Sequence, residues 1–364
     1  MTGRRHRGRP RRAARLAAVT AATAVTAVVL GGRPAAADPP APTDFRSLVD
    51  AVTPAGAGVE AEVVGGDAFL RLRVTGDHEV VVPGYAGEPY LRFGPDGTVE
   101  RNRRSPATYV NQDRQGGGEA PAEADPEAEP AWDEVGGDGS YAWHDHRIHW
   151  MQPGDPPVDR GEVVQEWTVD LTVDGAPARV EGRLIWVEPA NPWPWAVLAT
   201  VVAAAVVLVG WRRTGRGSLV GAAAVTVAAL GALAVGWGQY ADAPAGAGTS
   251  PLVVAVPAAA LVAGLAAVGL WWRSRSLAAA AALAAVAAST GWAALRLPVL
   301  WKAVLPTGLP FAVDRAGTAL ALGLAVAAAA LVVHSGDLAL GPGRPPPTAL
   351  PAEPHSPADT GAGD

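Results

Sequence analysis

The amino-acid sequence predicts β plus membrane-α architecture: an extracytoplasmic β-sandwich-like domain followed by a five-helix transmembrane bundle. Three observations predict it. The chain opens on a basic leader with a short apolar run behind it. Apolar and polar residues then alternate with period two through several short segments, as half-buried strands do. Beyond residue 191 come five apolar runs, each near the ~20 residues that cross a bilayer.

Residues 4–15 supply a basic n-region, residues 16–30 a short apolar stretch, and Ala35-Ala36-Ala37 the small residues a signal peptidase needs. Residues 1–37 therefore read as a signal peptide. The pairs Arg4-Arg5 and Arg11-Arg12 raise the twin-arginine route, although their surroundings do not fit its usual pattern. A leader retained as an anchor leaves the topology unchanged. The leader holds eight arginines and no acid; without it, 21 basic residues face 35 acidic ones. A chain that acidic, with the single lysine Lys302 and no basic stripe, excludes nucleic acid as a partner. Zero cysteines exclude disulfides, thiolate metal sites and a cysteine nucleophile together.

Residues 38–190 read as the extracytoplasmic β domain. Residues 59–64 lead through Gly65-Gly66 into residues 69–74, where Leu70, Leu72 and Val74 share one face and Arg71 and Arg73 point the other way with Phe69. Residues 79–82 and 90–93 are further short strands, and Pro95-Asp96-Gly97 is a turn. Trp167, Val169, Leu171 and Val173 line one face of a strand, and Asp174-Gly175 turns it back into residues 179–187. Short strands at this spacing favour a sandwich or open barrel. Residues 113–139, rich in Gly, Pro, Ala, Asp and Glu, read as a mobile acidic loop.

Residues 191–335 are expected to hold the spans, at about 195–211, 218–237, 251–272, 277–295 and 316–333. Arg212, Arg213 and Arg216 follow the first span, and Arg273 and Arg275 the third; basic loops stay cytoplasmic, so the first span should run from outside to inside. The loop with Arg296, Lys302 and Arg315 then faces outward, a partial breach of that rule, and Trp301 suggests that it lies in the outer interface. Trp193, Trp195, Trp211, Trp237, Trp271, Trp272 and Trp292 fall near span ends, as an interfacial belt does. Ala232 and Gly236 allow close helix contact. The absence of ionisable residues in mid-span suggests an anchor or a partner-binding bundle in the lipid bilayer rather than a pump. Residues 336–364 read as a disordered cytoplasmic tail.

The chemistry concentrates in residues 141–151, Tyr-Ala-Trp-His-Asp-His-Arg-Ile-His-Trp-Met. Three of the seven histidines, His144, His146 and His149, fall within six residues, followed by Met151, and Trp143 and Trp150 bracket them. Imidazole is the commonest metal ligand near neutral pH, and a thioether favours soft ions such as Cu(I). In one straight strand His144 and His146 would share a face with Ile148 and Trp150, while His149 and Met151 took the other. A single site using all three imidazoles requires a bend near Arg147-Ile148. His78, in another β segment, is a candidate remote ligand, and Asp145 a candidate partner fixing an imidazole tautomer. Copper is the expected cofactor; zinc is less favoured because Met is not a usual zinc ligand. The competing reading is a core strand whose histidines hydrogen-bond within the fold, so that the domain is a structural or interaction module for a membrane or surface protein partner, with no metal. An enzyme ranks third: no Gly-x-Ser-x-Gly elbow is present, and nothing marks Ser105 as a nucleophile.

Three segments, Gly84-Tyr85-x-Gly87-Glu88-Pro89-Tyr90-Leu91-Arg92-Phe93, residues 103–111 and residues 143–151, stand ahead of the spans. In this the chain resembles an uncharacterised family of exported multi-pass membrane proteins of high-GC Gram-positive bacteria with a WHDHRIHWM-type motif. The resemblance implies the architecture; the leader and the loop charges imply a cell-membrane location, with the N-terminal domain outside and the C-terminus in the cytoplasm.

Overall fold

A computed structural model describes residues 39–114, 116, 120–244 and 250–338. The expected signal peptide and nearly all of the C-terminal tail lie outside the described residues. The first part is antiparallel β and the second is five long apolar helices packed together.

Seven strands form the larger sheet. They are β1 (Phe45–Thr53), β4 (Val80–Pro83), β5 (Pro89–Phe93), β6 (Val99–Asn102), β7 (Trp132–Gly136), β9 (Val163–Val173) and β10 (Ala176–Trp186), in the spatial order β1-β10-β9-β4-β5-β6-β7. A second sheet runs β2-β3-β8, with β2 at Val59–Val64, β3 at Phe69–Val74 and β8 at Ser140–Trp143. The inner faces meet in one apolar core. Leu70, Leu72, Tyr141 and Trp143 come from the small sheet, and Val80, Leu91, Phe93, Val169 and Leu184 from the large one. Trp167, Val169, Leu171 and Val173 are all buried, while the residues between them are exposed, as the alternation predicts. Asp174 and Gly175 both take positive φ, 50° and 78°, which is what a two-residue hairpin between twisted strands requires. Opposite Trp167, Gly182 leaves room for the indole: a Cβ there would fall 2.2 Å from it.

Two expectations are corrected here. The acidic segment 113–139 is not loop throughout, because Trp132–Gly136 pairs with β6 as the edge strand β7. Phe69 is not on a solvated face: it is fully buried with Ala68 and Ala142, because the β2–β3 turn is pressed against the bundle.

The helices are α1 (Trp193–Arg212), α2 (Gly217–Ala241), α3 (Leu252–Leu270), α4 (Arg275–Leu295) and α5 (Phe311–His334), each long and apolar enough to cross a membrane. The protein is therefore built for multi-pass contact with a lipid bilayer. Small residues set the helix spacing. At Gly236 a Cβ would lie 2.2 Å from the Val253 carbonyl oxygen, and at Gly323 it would lie 2.5 Å from that of Ala199. Trp193, Trp211, Trp237 and Trp272 are exposed near helix ends, but Trp292 is buried and donates to the Val253 carbonyl at 3.0 Å, so it is a packing residue.

The β domain sits on one end of this bundle. Thr43 and Val304 exchange backbone hydrogen bonds of 3.0 and 2.9 Å, and the Ala190 N–H donates to the Trp301 carbonyl at 2.7 Å. The α4–α5 loop is thus held by the β domain. Its basic groups are consumed internally. Lys302 meets Asp44, Arg296 meets Asp314, and Arg315 donates to the carbonyls of Val299, Lys302 and Ala303. Trp211 contacts His334, and Ser218 meets Asp337, so the α1–α2 connection and the C-terminal end of α5 share the opposite end of the bundle.

Candidate functional site

The histidine segment is bent where a common site requires it. Strand β8 stops at Trp143, and His146–Ile148 form a single 3₁₀ turn. Asp145 caps that turn, accepting from the Arg147 N–H at 3.1 Å, and its buried carboxylate also takes a fork of bonds from the Arg147 guanidinium at 2.7 and 2.6 Å. The Trp143 indole adds a third donor at 2.9 Å. Burial pushes the Asp145 carboxyl up, but the charge and bonds of Arg147, with the Trp143 bond, outweigh it and hold the carboxyl below its ordinary value. Asp145 therefore acts as the anchor of the turn. Gln165 on β9 donates to the carbonyls of Arg147 and His149 at 2.9 and 3.1 Å and fixes the exit.

The turn brings the rings together. The His144 and His149 centroids are 5.9 Å apart, and those of His146 and His149 are 6.3 Å apart. Imidazoles bound to one ion at ~2.0–2.1 Å place their centroids roughly 5–6 Å apart, so these spacings are close to, though wider than, a ligating set. His144 is fully buried, stacked on Phe69 at 4.2 Å, with Nδ1 2.6 Å from the Ala68 carbonyl. The His146 Nε2 donates to the Asp113 carbonyl at 3.0 Å. His149 is buried at 2% exposure, and among the described residues neither of its ring nitrogens has a hydrogen-bond partner. Asp67 Oδ2 lies 3.6 Å from His149 Nδ1, within ion-pair reach but beyond a hydrogen bond. Burial lowers the His149 pKa below the ordinary 6.5, against the pull of Asp67, so the ring is a neutral donor near pH 7.

Asp67, in the β2–β3 turn, was not picked out from the sequence. Its carboxylate is buried and is gripped by Arg114 through both oxygens at 2.5 Å. Met151 lies on the outer side of the cluster and is partly exposed. A Cβ on Gly116 would fall 2.9 Å from His146 Cε1 and 3.8 Å from Met151 Cε, so His146 and Met151 share one neighbourhood. The donors thus divide into an inner group of His144, His149 and Asp67 and an outer pair of His146 and Met151. His78 is placed elsewhere, with Nδ1 2.7 Å from Asp174 Oδ2 at the β9–β10 hairpin. Trp143 is buried beside Tyr90, while Trp150 is part-exposed and donates to the Gly154 carbonyl. Among the described residues no group of three or more His, Asp or Glu side chains already has the arrangement that holds a metal ion.

A second set of residues supports the turn from the large sheet. The Tyr85 hydroxyl accepts from the His146 N–H at 2.9 Å and donates to Asn111 Oδ1 at 2.5 Å, and the Arg147 guanidinium lies 5.3 Å over its ring. Glu88, also buried, accepts from the Ser105 hydroxyl at 2.5 Å and from the Ala86 N–H at 3.0 Å. The segments around residues 84–93, 103–111 and 143–151 therefore converge on one place. The sequence singles out these three segments, but nothing in it shows that they meet. No family model, curated protein or solved structure matches the chain.

Proposed function

We propose that the protein is a membrane-anchored extracytoplasmic metal-binding protein, with copper the ion its donors favour, serving copper trafficking, sensing or resistance. The observation that carries this reading is His149: a buried imidazole, held neutral, with no hydrogen bond on either nitrogen among the described residues, between two other imidazoles and 3.6 Å from the Asp67 carboxylate. A buried polar group without a partner is costly, and a bound ion relieves that cost. His144, His146, His149 and Met151 remain the ligand candidates, and Asp67 joins them. His78 keeps a place only as a ligand to a separate ion, since it stands at the β9–β10 hairpin beside Asp174. The thioether of Met151 beside His146 favours copper over zinc. The arginine-rich ends of α1 and α3 support an outward-facing β domain, because positive loops stay cytoplasmic.

The test uses the full-length protein in nanodiscs, titrated with Cu(I), Cu(II) and Zn(II) while retained metal and Trp fluorescence are followed. Stoichiometric copper retention that is lost in His149→Ala and weakened in Met151→Ala supports the reading. No retention above a His144→Ala/His146→Ala/His149→Ala variant overturns it. A second reading has its own support: Asp145, Arg147, Gln165 and Tyr85 are all spent on holding the turn in place, which is what a structural or interaction module needs. Capture of a membrane partner by the metal-free protein, lost when the turn is loosened, would favour it.

A further inference from the structure

Two pairs of hydroxyls in the spanning helices behave differently. Thr200 and Thr226 each donate to the carbonyl four residues back, at 2.8 and 2.7 Å, the usual way a span satisfies a hydroxyl. Thr318 in α5 and Ser289 in α4 do not. Both are buried, and among the described residues neither side-chain oxygen has a hydrogen-bond partner. Arg296 Nε and Asp314 Oδ2 are buried in the same condition.

Helix geometry places all four atoms along one seam. Ser289 lies two turns before Arg296, the residue that caps the C-terminus of α4, and Thr318 lies one turn after Asp314 on α5. The two helices are joined by the α4–α5 loop, and the 2.6 Å bond from Arg296 Nη2 to Asp314 Oδ1 fixes where the seam begins. Arg296 also donates to Gln239 Oε1. Gln239 in turn lines a cavity of about 60 Å³ between the β domain and the bundle, together with Phe69, Asp242, Pro306 and Thr307. The seam therefore starts at a cavity under the β domain and runs into the bundle.

We infer that this seam is a binding site for water, entered from the β-domain side. The polar atoms themselves select the guest. Arg296 and Asp314 cancel each other's charge, leaving one N–H donor, one carboxylate acceptor and two hydroxyls that can do either. A cation there would face the guanidinium, and an anion would face the carboxylate. Small neutral molecules that both donate and accept satisfy atoms of all these kinds. In a bilayer core nothing else is available to pair such atoms. The bundle is thus hydrated over its outer part rather than a dry anchor.

Trp292 is the reporter, because the Arg296 guanidinium lies 4.9 Å over its ring although the side chain is only 4% exposed. Full-length protein in nanodiscs would be exposed to microsecond X-ray radiolysis, which makes hydroxyl radicals from water wherever it is bound. Trp167, 5% exposed and bonded to Ser47, is the dry comparator. Trp292 should oxidise several-fold faster than Trp167, and a Ser289→Ala/Thr318→Val variant should lose most of that difference while exposed Trp193 is unaffected. Equal rates for Trp292 and Trp167 in the wild type would overturn the inference. So would a Trp292 rate unchanged in the variant.

Discussion

Lys302 Nζ lies 2.8 Å from Asp44 Oδ2, joining the strand-like entry of the β domain to the loop between the last two spans. The same carboxylate accepts from the Ala303 N–H at 3.0 Å, so one acid holds both the side chain and the backbone of that loop. Removing it leaves a part-buried ammonium and an N–H without their acceptor. Asp44→Ala is expected to raise amide exchange several-fold around residues 301–304, with β9 and β10 unchanged. Exchange measured by mass spectrometry checks this, and unchanged protection of the loop would show that the pair is incidental.

Tyr85→Phe tests the support of the histidine turn. The variant keeps the ring under Arg147 but strips the His146 N–H and Asn111 of their shared hydroxyl. A loss of about 1 kcal/mol in unfolding free energy is expected. Weaker metal retention should accompany it if the turn positions the ligands.

The pH dependence follows from His149. Its folded pKa is below 6.5, so the unfolded chain takes up the proton first. Its contribution to stability is complete above about pH 6.5 and is lost as pH falls through that value toward the folded pKa. Thermal melts of the metal-free protein between about pH 8 and pH 5 should fall more steeply for the wild type than for His149→Gln. Parallel curves would remove His149 as the titrating group.

In the bundle, Gly236→Ala drives a methyl group into the Val253 carbonyl. It should cost about 1–3 kcal/mol by forcing α2 and α3 apart. Gly231→Ala, on the same helix with open space around the site, should be neutral or stabilising. Melting both in one detergent separates a packing effect from a helix-propensity effect.

Much of the fold was legible because its signals are local. The Asp174-Gly175 hairpin and the five spans are written in short windows of sequence, and the spans differ from expectation mainly in α5, which begins at Phe311 and so takes in Asp314 and Arg315. Strands β1 and β7 were not legible. Both are edge strands with mixed burial, and β7 carries the acids Asp133 and Glu134 that discourage pairing with other chains. The histidines were legible as a cluster, and the required bend was named, but Asp67 and Tyr85 were not. They reach the turn from 82 and 61 positions away, measured to His149 and His146, and only the tertiary fold joins them. Their signals in sequence were a carboxylate directly after Gly65-Gly66 and an aromatic in a glycine-framed turn.

The β domain is attached to the bundle twice, through the chain leading into α1 and through the Thr43–Val304 bridge to the far loop. A domain on a single tether sweeps out a volume and searches for what it meets; one standing on two legs keeps a set height and heading above the lipid. The Phe69 ring that carries His144 also lines the cavity beneath the domain, so that this imidazole is fixed on the side of the domain that rests on the bundle.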